Sequence, residues 1–99
     1  MEKLFILTRK DMPFAYQAVQ SGHAVAQWML ENGNHHWRNQ TLVYLSVPDE
    51  QHLNLWCSKL ESKGHKFSQF CEPDINNEKT SIACYTDGKI FSNLKLMGA

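Results

Sequence analysis

The sequence has 99 residues, 42% of them hydrophobic and 20% charged, enough for one domain over residues 1–99 and too few for a second. Ten Lys and Arg balance ten Asp and Glu, which excludes a chain coated in basic residues while leaving room for a local basic patch. No apolar run approaches the roughly 18 residues a bilayer span needs, no signal-peptide layout is present, and Cys57, Cys71 and Cys84 form no CxxC pair. The expectation is a soluble, cytoplasmic protein with reduced thiols and no membrane partner.

Lys3 to Thr8 (KLFILT) is a short apolar run that reads as a buried strand. Asp11-Met12-Pro13 supplies a turn and a helix start, because proline fits the first helical turn and aspartate favours the positive end of the helix dipole. From Phe14 to Glu31, residues Ala15, Ala18, Val19, Gly22, Val25, Ala26, Met29 and Leu30 recur at helical spacing, predicting a helix that turns this face to the core. Gly22 on that face predicts close approach of another element. Asn32-Gly33-Asn34 ends the helix, and His35 to Gln40 is a polar loop carrying Trp37 and Arg38.

Thr41 to Val47 (TLVYLSV) is a second strand, apolar enough for burial on both faces. Pro48-Asp49-Glu50 opens a second helix with Leu53, Trp56 and Leu60 as its core stripe, and Lys63-Gly64 closes it. His65 to Phe70 reads as a third strand, Cys71 to Lys79 as a polar loop and Thr80 to Tyr85 as a fourth strand. Asp87-Gly88 is a turn, and Ile90 to Met97 a short amphipathic tail. The order strand, helix, strand, helix, strand, strand predicts a compact α/β fold with a partly parallel sheet.

Tyr16, Gln20, His23 and Gln27 lie four, three and four residues apart, so they form one polar stripe along the first helix, at the margin of its apolar face. Gln and His at such a margin are ordinarily just solvated. The loop from Cys71 to Thr80 is dense in carboxylates and amides, and Glu72 or Asp74 could orient an imidazole or activate water; acidic turn residues between strands are also commonplace. His35-His36 with His52 lack metal-ligand spacing. There is no GxGxxG or GxxxxGK(S/T) phosphate loop and no GxSxG elbow, so no cofactor or metal is expected.

Leu7-Thr8-Arg9-Lys10-Asp11 followed by Ala18-Val19-Gln20-Ser21-Gly22-His23-Ala24 resembles the opening of type II peptidyl-tRNA hydrolases, where a strand ends in Arg-x-Asp and the next helix carries A-x-Q-x-x-H-A. The resemblance continues through Thr41 to Val47 with Pro48-Asp49-Glu50, Lys63-Gly64, Glu72-Pro73-Asp74, Thr80 to Ala83, and Asn93-Leu94-Lys95-Leu96. It implies a three-layer α/β/α fold with a mixed, mostly parallel four-stranded sheet. It also implies hydrolysis of the ester joining a peptide to the 3′ end of tRNA, often by a homodimer. By position, Gln20 and His23 match the helix motif, Thr80 matches a threonine at the start of the last strand, and Glu72 stands near a site aspartate. Family enzymes carry a site lysine where this chain has Tyr16, so the chain is similar to a lysine-lacking branch.

Ester hydrolysis needs a positioned water, a group to take its proton and donors for the oxyanion. His23 is the candidate base, oriented by Glu72 or Asp74, with Gln20 and Thr80 donating hydrogen bonds. Arg9, Lys10, Asp11, Tyr16 and Asp74 are the candidate substrate-binding residues. The competing reading is a non-catalytic module on the same fold that binds tRNA or a protein. A third is hydrolysis of another small acyl ester or amide.

Overall fold

A computed structural model of the chain describes residues 1–33 and 37–99. Asn34 of the expected helix stop and the His35-His36 pair lie outside the described residues. The elements are β1 (Lys3–Arg9), α1 (Phe14–Asn32), β2 (Leu42–Val47), α2 (Glu50–Ser62), β3 (Phe67–Glu72), β4 (Glu78–Thr86) and β5 (Lys95–Leu96), with short 3-10 turns at Pro73–Ile75 and Lys89–Phe91.

These strands make one mixed sheet in the order β3-β4-β1-β2-β5, five strands where four were expected. It is not mostly parallel: only β1 with β2 runs parallel, joined through the α1 crossover, while β1–β4, β3–β4 and β2–β5 are antiparallel. The extra strand is two residues of the tail, where Leu96 pairs with Leu45 and Lys95 with Ser46. So short a pairing leaves no hydrophobic alternation to read in advance.

β1 is central and apolar on both faces because it is covered on both. Leu4 and Ile6 pack with Ala24 and Trp28 of α1, and Phe5 and Leu7 with Leu53, Cys57 and Leu60 of α2. That is the period-two alternation of a strand sandwiched between helices. Asp49 caps α2, accepting from the backbone N–H of His52 at 3.0 Å. Gly88, at φ +87°, has the Phe5 ring 2.3 Å from where a Cβ would stand, so this turn needs glycine twice over.

α1 does not present the face its apolar spacing predicts. Val25 and Met29 pack against the core, but Ala15, Ala18, Val19, Ala26 and Leu30 are exposed. The buried residues are Gln17, Gln20, Ser21, Ala24 and Trp28. Gly22 is likewise not a point of close approach, since an added Cβ would meet nothing within 4 Å. Hydrogen bonding decides the rotation. Gln17, Gln20 and Ser21 each find a partner, which removes most of the penalty for taking them out of water, whereas the buried Trp28 indole N–H has none among the described residues.

Candidate functional site

The polar partners of α1 lie at the end of the sheet where β1 and β2 finish. Gln17 Nε2 donates to the carbonyl of Met12 at 2.9 Å, pinning the turn before the helix. Ser21 Oγ donates to the Gln17 carbonyl and shares a 2.7 Å hydrogen bond with Thr8 Oγ1 of β1. Ser81 Oγ donates to the backbone carbonyl of Gln20 at 2.7 Å. Sequence reasoning missed Gln17, Ser21, Thr8 and Ser81. For Gln17 and Ser21 the only advance signal was polarity at helical spacing on α1; Thr8 and Ser81, on β1 and β4, carried no such signal.

Gln20 is the centre of this arrangement. Its Oε1 accepts from the fully buried Thr80 hydroxyl at 2.7 Å, and its Nε2 donates to Glu72 Oε1 at 2.8 Å. A carboxylate accepts only, so the amide's NH₂ must face Glu72 and its oxygen Thr80. Hydroxyl, amide and carboxylate thus line up donor to acceptor, a chain in which each bond polarises the next. It unites residues 52 and 60 positions from Gln20 in the sequence.

A β-bulge makes this possible. Phe70 pairs with Ser81 and Cys71 with Lys79, so Thr80 is an additional residue on β4 with no partner on β3. Normal alternation would send neighbouring side chains to opposite faces. The bulge lets Thr80 and Ser81 both address Gln20. On β3, Ser68 and Glu72 both reach α1, hydrogen-bonding Glu31 and Gln20.

Beside Gln20 and Glu72 opens a cavity of about 350 Å³, walled also by Met12, Pro13, Tyr16, Asp74 and Ile75. Four of the predicted site residues therefore line one pocket, and Thr80 stands directly behind Gln20. His23 does not line it. One turn further along α1, its ring stacks on Phe70 with centroids 4.6 Å apart and planes 19° from parallel. Arg9, Lys10 and Asp11 are also outside the pocket lining. Arg9 makes paired contacts with the Asp11 carboxylate at 2.7 and 3.0 Å and reaches Glu78 at 2.8 Å. The Asp11 hydrogen bond, aided by Glu78 and opposed by partial burial, raises the guanidinium pKa further. Arg9 is a permanent cation tying the end of β1 to β4. Lys10 is exposed.

Burial pushes the Cys84 thiol up to about 12 and raises that of Cys57, with Lys79 Nζ 3.4 Å from the Cys57 sulfur pulling the other way. Among the described residues no group of three or more His, Cys, Asp or Glu is arranged to hold a metal ion. No described helix is long and apolar enough to cross a membrane.

No family model matches the chain, and no curated protein does. Among solved structures it is similar to a protein of unknown function from Agrobacterium tumefaciens strain C58, at 14% identity over 96% of each chain with a TM-score of 0.71. At that identity the likeness establishes the fold, a mixed α/β domain, and carries no activity with it.

Proposed function

We propose that the pocket hydrolyses an acyl ester, with Glu72 taking the proton from the attacking water, and that its substrate is the ester joining a peptidyl or acyl group to the 3′ end of tRNA. The observation that carries the reading is the Thr80–Gln20–Glu72 chain at the pocket wall. A carboxylate that must abstract a proton gains from being held in one orientation, and Gln20, itself locked by Thr80, holds one oxygen of Glu72. Among the described residues the other oxygen meets only the Asp74 backbone N–H, at a long 3.5 Å. Tyr16, exposed on the pocket wall, supplies a hydroxyl able to donate to the developing oxyanion where relatives of the resembled type carry lysine. In this reading His23 stands outside the pocket, stacked on Phe70, and Thr80 positions Gln20 without touching substrate.

Release of free tRNA from N-acetylaminoacyl-tRNA tests this. Glu72→Gln should lower kcat by about 10²- to 10⁴-fold, the usual weight of a general base, while leaving the melting temperature near the wild-type value. His23→Ala should lose less than about tenfold. Loss confined to His23→Ala would move the base to the imidazole and sink the assignment to Glu72.

One observation favours a second reading, in which the same site cleaves a small acyl ester and not a tRNA conjugate. Among the described residues the pocket is lined by two carboxylates, Glu72 and Asp74, and by no cation, a wall that repels phosphates. Turnover of a short N-acyl amino acid ester without turnover of the tRNA conjugate would select it.

A further inference from the structure

The charges of this neutral chain are unevenly placed. At the pocket end, where β1 and β2 finish, stand Asp11, Asp49, Glu50, Glu72, Asp74 and Glu78. Arg9 there is consumed by two carboxylates and Lys79 lies against Cys57, and Lys10 and Lys95 stand at that end as well. At the end where β1 and β2 begin, about 20 Å away by the length of a seven-residue strand, stand Lys3, Lys59, Lys63, Lys66 and Lys89. The acids of that end are Glu2, Glu31, Glu61 and Asp87, and Glu31 is already engaged by Ser68 and Gln27.

Lys59, Lys63, Lys89 and His65 line an open depression of about 630 Å³. Lys59 and Lys63 are one helical turn apart at the end of α2, and Lys89 comes from the turn after β4. Their mounting is firm. Lys59 Nζ rests 4.8 Å above the Trp56 ring, and Gly88, which precedes Lys89, is seated on Phe5. Among the described residues none of these three lysines pairs with a carboxylate. Glu2 and Asp87 also line the depression, but Asp87 Oδ1 is occupied by the backbone N–H of Lys89 at 3.0 Å. Lysines at a helix end complement the dipole, which accounts for Lys59 and Lys63 singly. It does not account for Lys89 converging on the same hollow.

We infer that this depression is a phosphate-binding site, taking the phosphates of a flexible single-stranded RNA backbone or those of a free nucleotide. The chemistry is common to both: closely spaced anionic oxygens facing three unpaired ammonium groups in an open, solvated hollow. The site is independent of whether the opposite pocket hydrolyses anything.

Fluorescence anisotropy of a labelled oligouridylate, with inorganic pyrophosphate as competitor, tests the inference. Each phosphate contact to a single strand contributes about 0.7 to the log–log salt slope, so three lysines predict an affinity loss of about 20-fold for a fourfold rise in salt. The double variant Lys63→Ala/Lys89→Ala should reduce that loss to about 3-fold and weaken binding at low salt. Lys79→Gln/Lys95→Gln removes the same charge elsewhere, at residues outside the depression, and should change neither. Displacement by pyrophosphate at similar affinity and shallow salt slope identifies a nucleotide-like ligand; a steep slope with weak displacement identifies the backbone. No binding of either probe at low salt overturns the site, as does binding that survives Lys63→Ala/Lys89→Ala or is lost in the control pair. Thermal melts of both pairs, expected to match wild type, separate loss of contact from loss of fold.

Discussion

Replacing Thr80 by valine changes the volume behind Gln20 very little and deletes one hydroxyl. The consequence falls on Gln20, only 4% exposed, whose Oε1 loses the donor it has in the native chain. A buried acceptor left without its partner costs about 1–3 kcal/mol. For a domain of this size each kcal/mol moves the melting temperature by roughly 4–8 °C, so Thr80→Val should melt about 4–24 °C lower. Differential scanning calorimetry reads the shift directly. The mechanism has a second signature. In a Gln20→Leu background there is no amide oxygen to abandon, so adding Thr80→Val should then be close to neutral. That non-additivity separates a lost hydrogen bond from a general intolerance of valine at a bulge. A drop below about 2 °C, or equal drops in the two backgrounds, would refute the account of Gln20 as a locked amide.

Three further outcomes follow from local geometry. Gly22→Ala should stabilise by about 1 kcal/mol, raising the melting temperature by roughly 4–8 °C, because the added methyl meets open space in mid-helix; a decrease would mean that this face of α1 is covered in solution. The Asp49 pKa lies below the usual carboxylate value, lowered first by the side-chain hydrogen bond with His52 and then by the His52 backbone N–H. A depressed carboxylate contributes stability above its unfolded pKa and loses it as pH falls through the folded one. Asp49→Asn, which keeps a capping oxygen, should therefore melt below wild type near neutrality, with the gap closing under acid conditions. Finally, a disulfide-exchange thiol reagent at about pH 8 should label the folded protein rapidly at exposed Cys71 alone, with Cys57 and Cys84 reacting only on unfolding. Cys71→Ser should then abolish the fast phase.

β1, α2 and its Asp49 start, and the glycine turn at Gly88 were legible because each depends on a local rule that no distant residue overrides. The orientation of α1 was not. Counting its apolar residues placed Ala15, Val19 and Ala26 inward, whereas the polar stripe through Gln20 is partly what goes in. The error has a physical origin: whether a glutamine is buried depends on what waits for it, and Thr80, Ser81 and Glu72 are supplied by strands far along the chain. The bulge is invisible for the same reason, since nothing in Lys79-Thr80-Ser81 announces which residue will go unpaired. Gln20, Glu72 and Thr80 were nonetheless picked out by their likeness to an ordered set of motifs, and the fold draws them together. His23, chosen on the same grounds, stands a turn away against Phe70.

The polar underside of α1 also bears on how the chain is made. A growing polypeptide exposes β1 and α1 long before residues 72–81 have left the ribosome, and an apolar helix face would stay uncovered throughout that interval, inviting aggregation. Gln17 and Ser21 find Met12 and Thr8 within the first segment, whereas Gln20 remains hydrated for as long as it waits and exchanges water for Thr80 and Glu72 only when β3 and β4 arrive. The pocket is consequently among the later features to form, and a nascent chain carries no cavity there until β3 and β4 have docked.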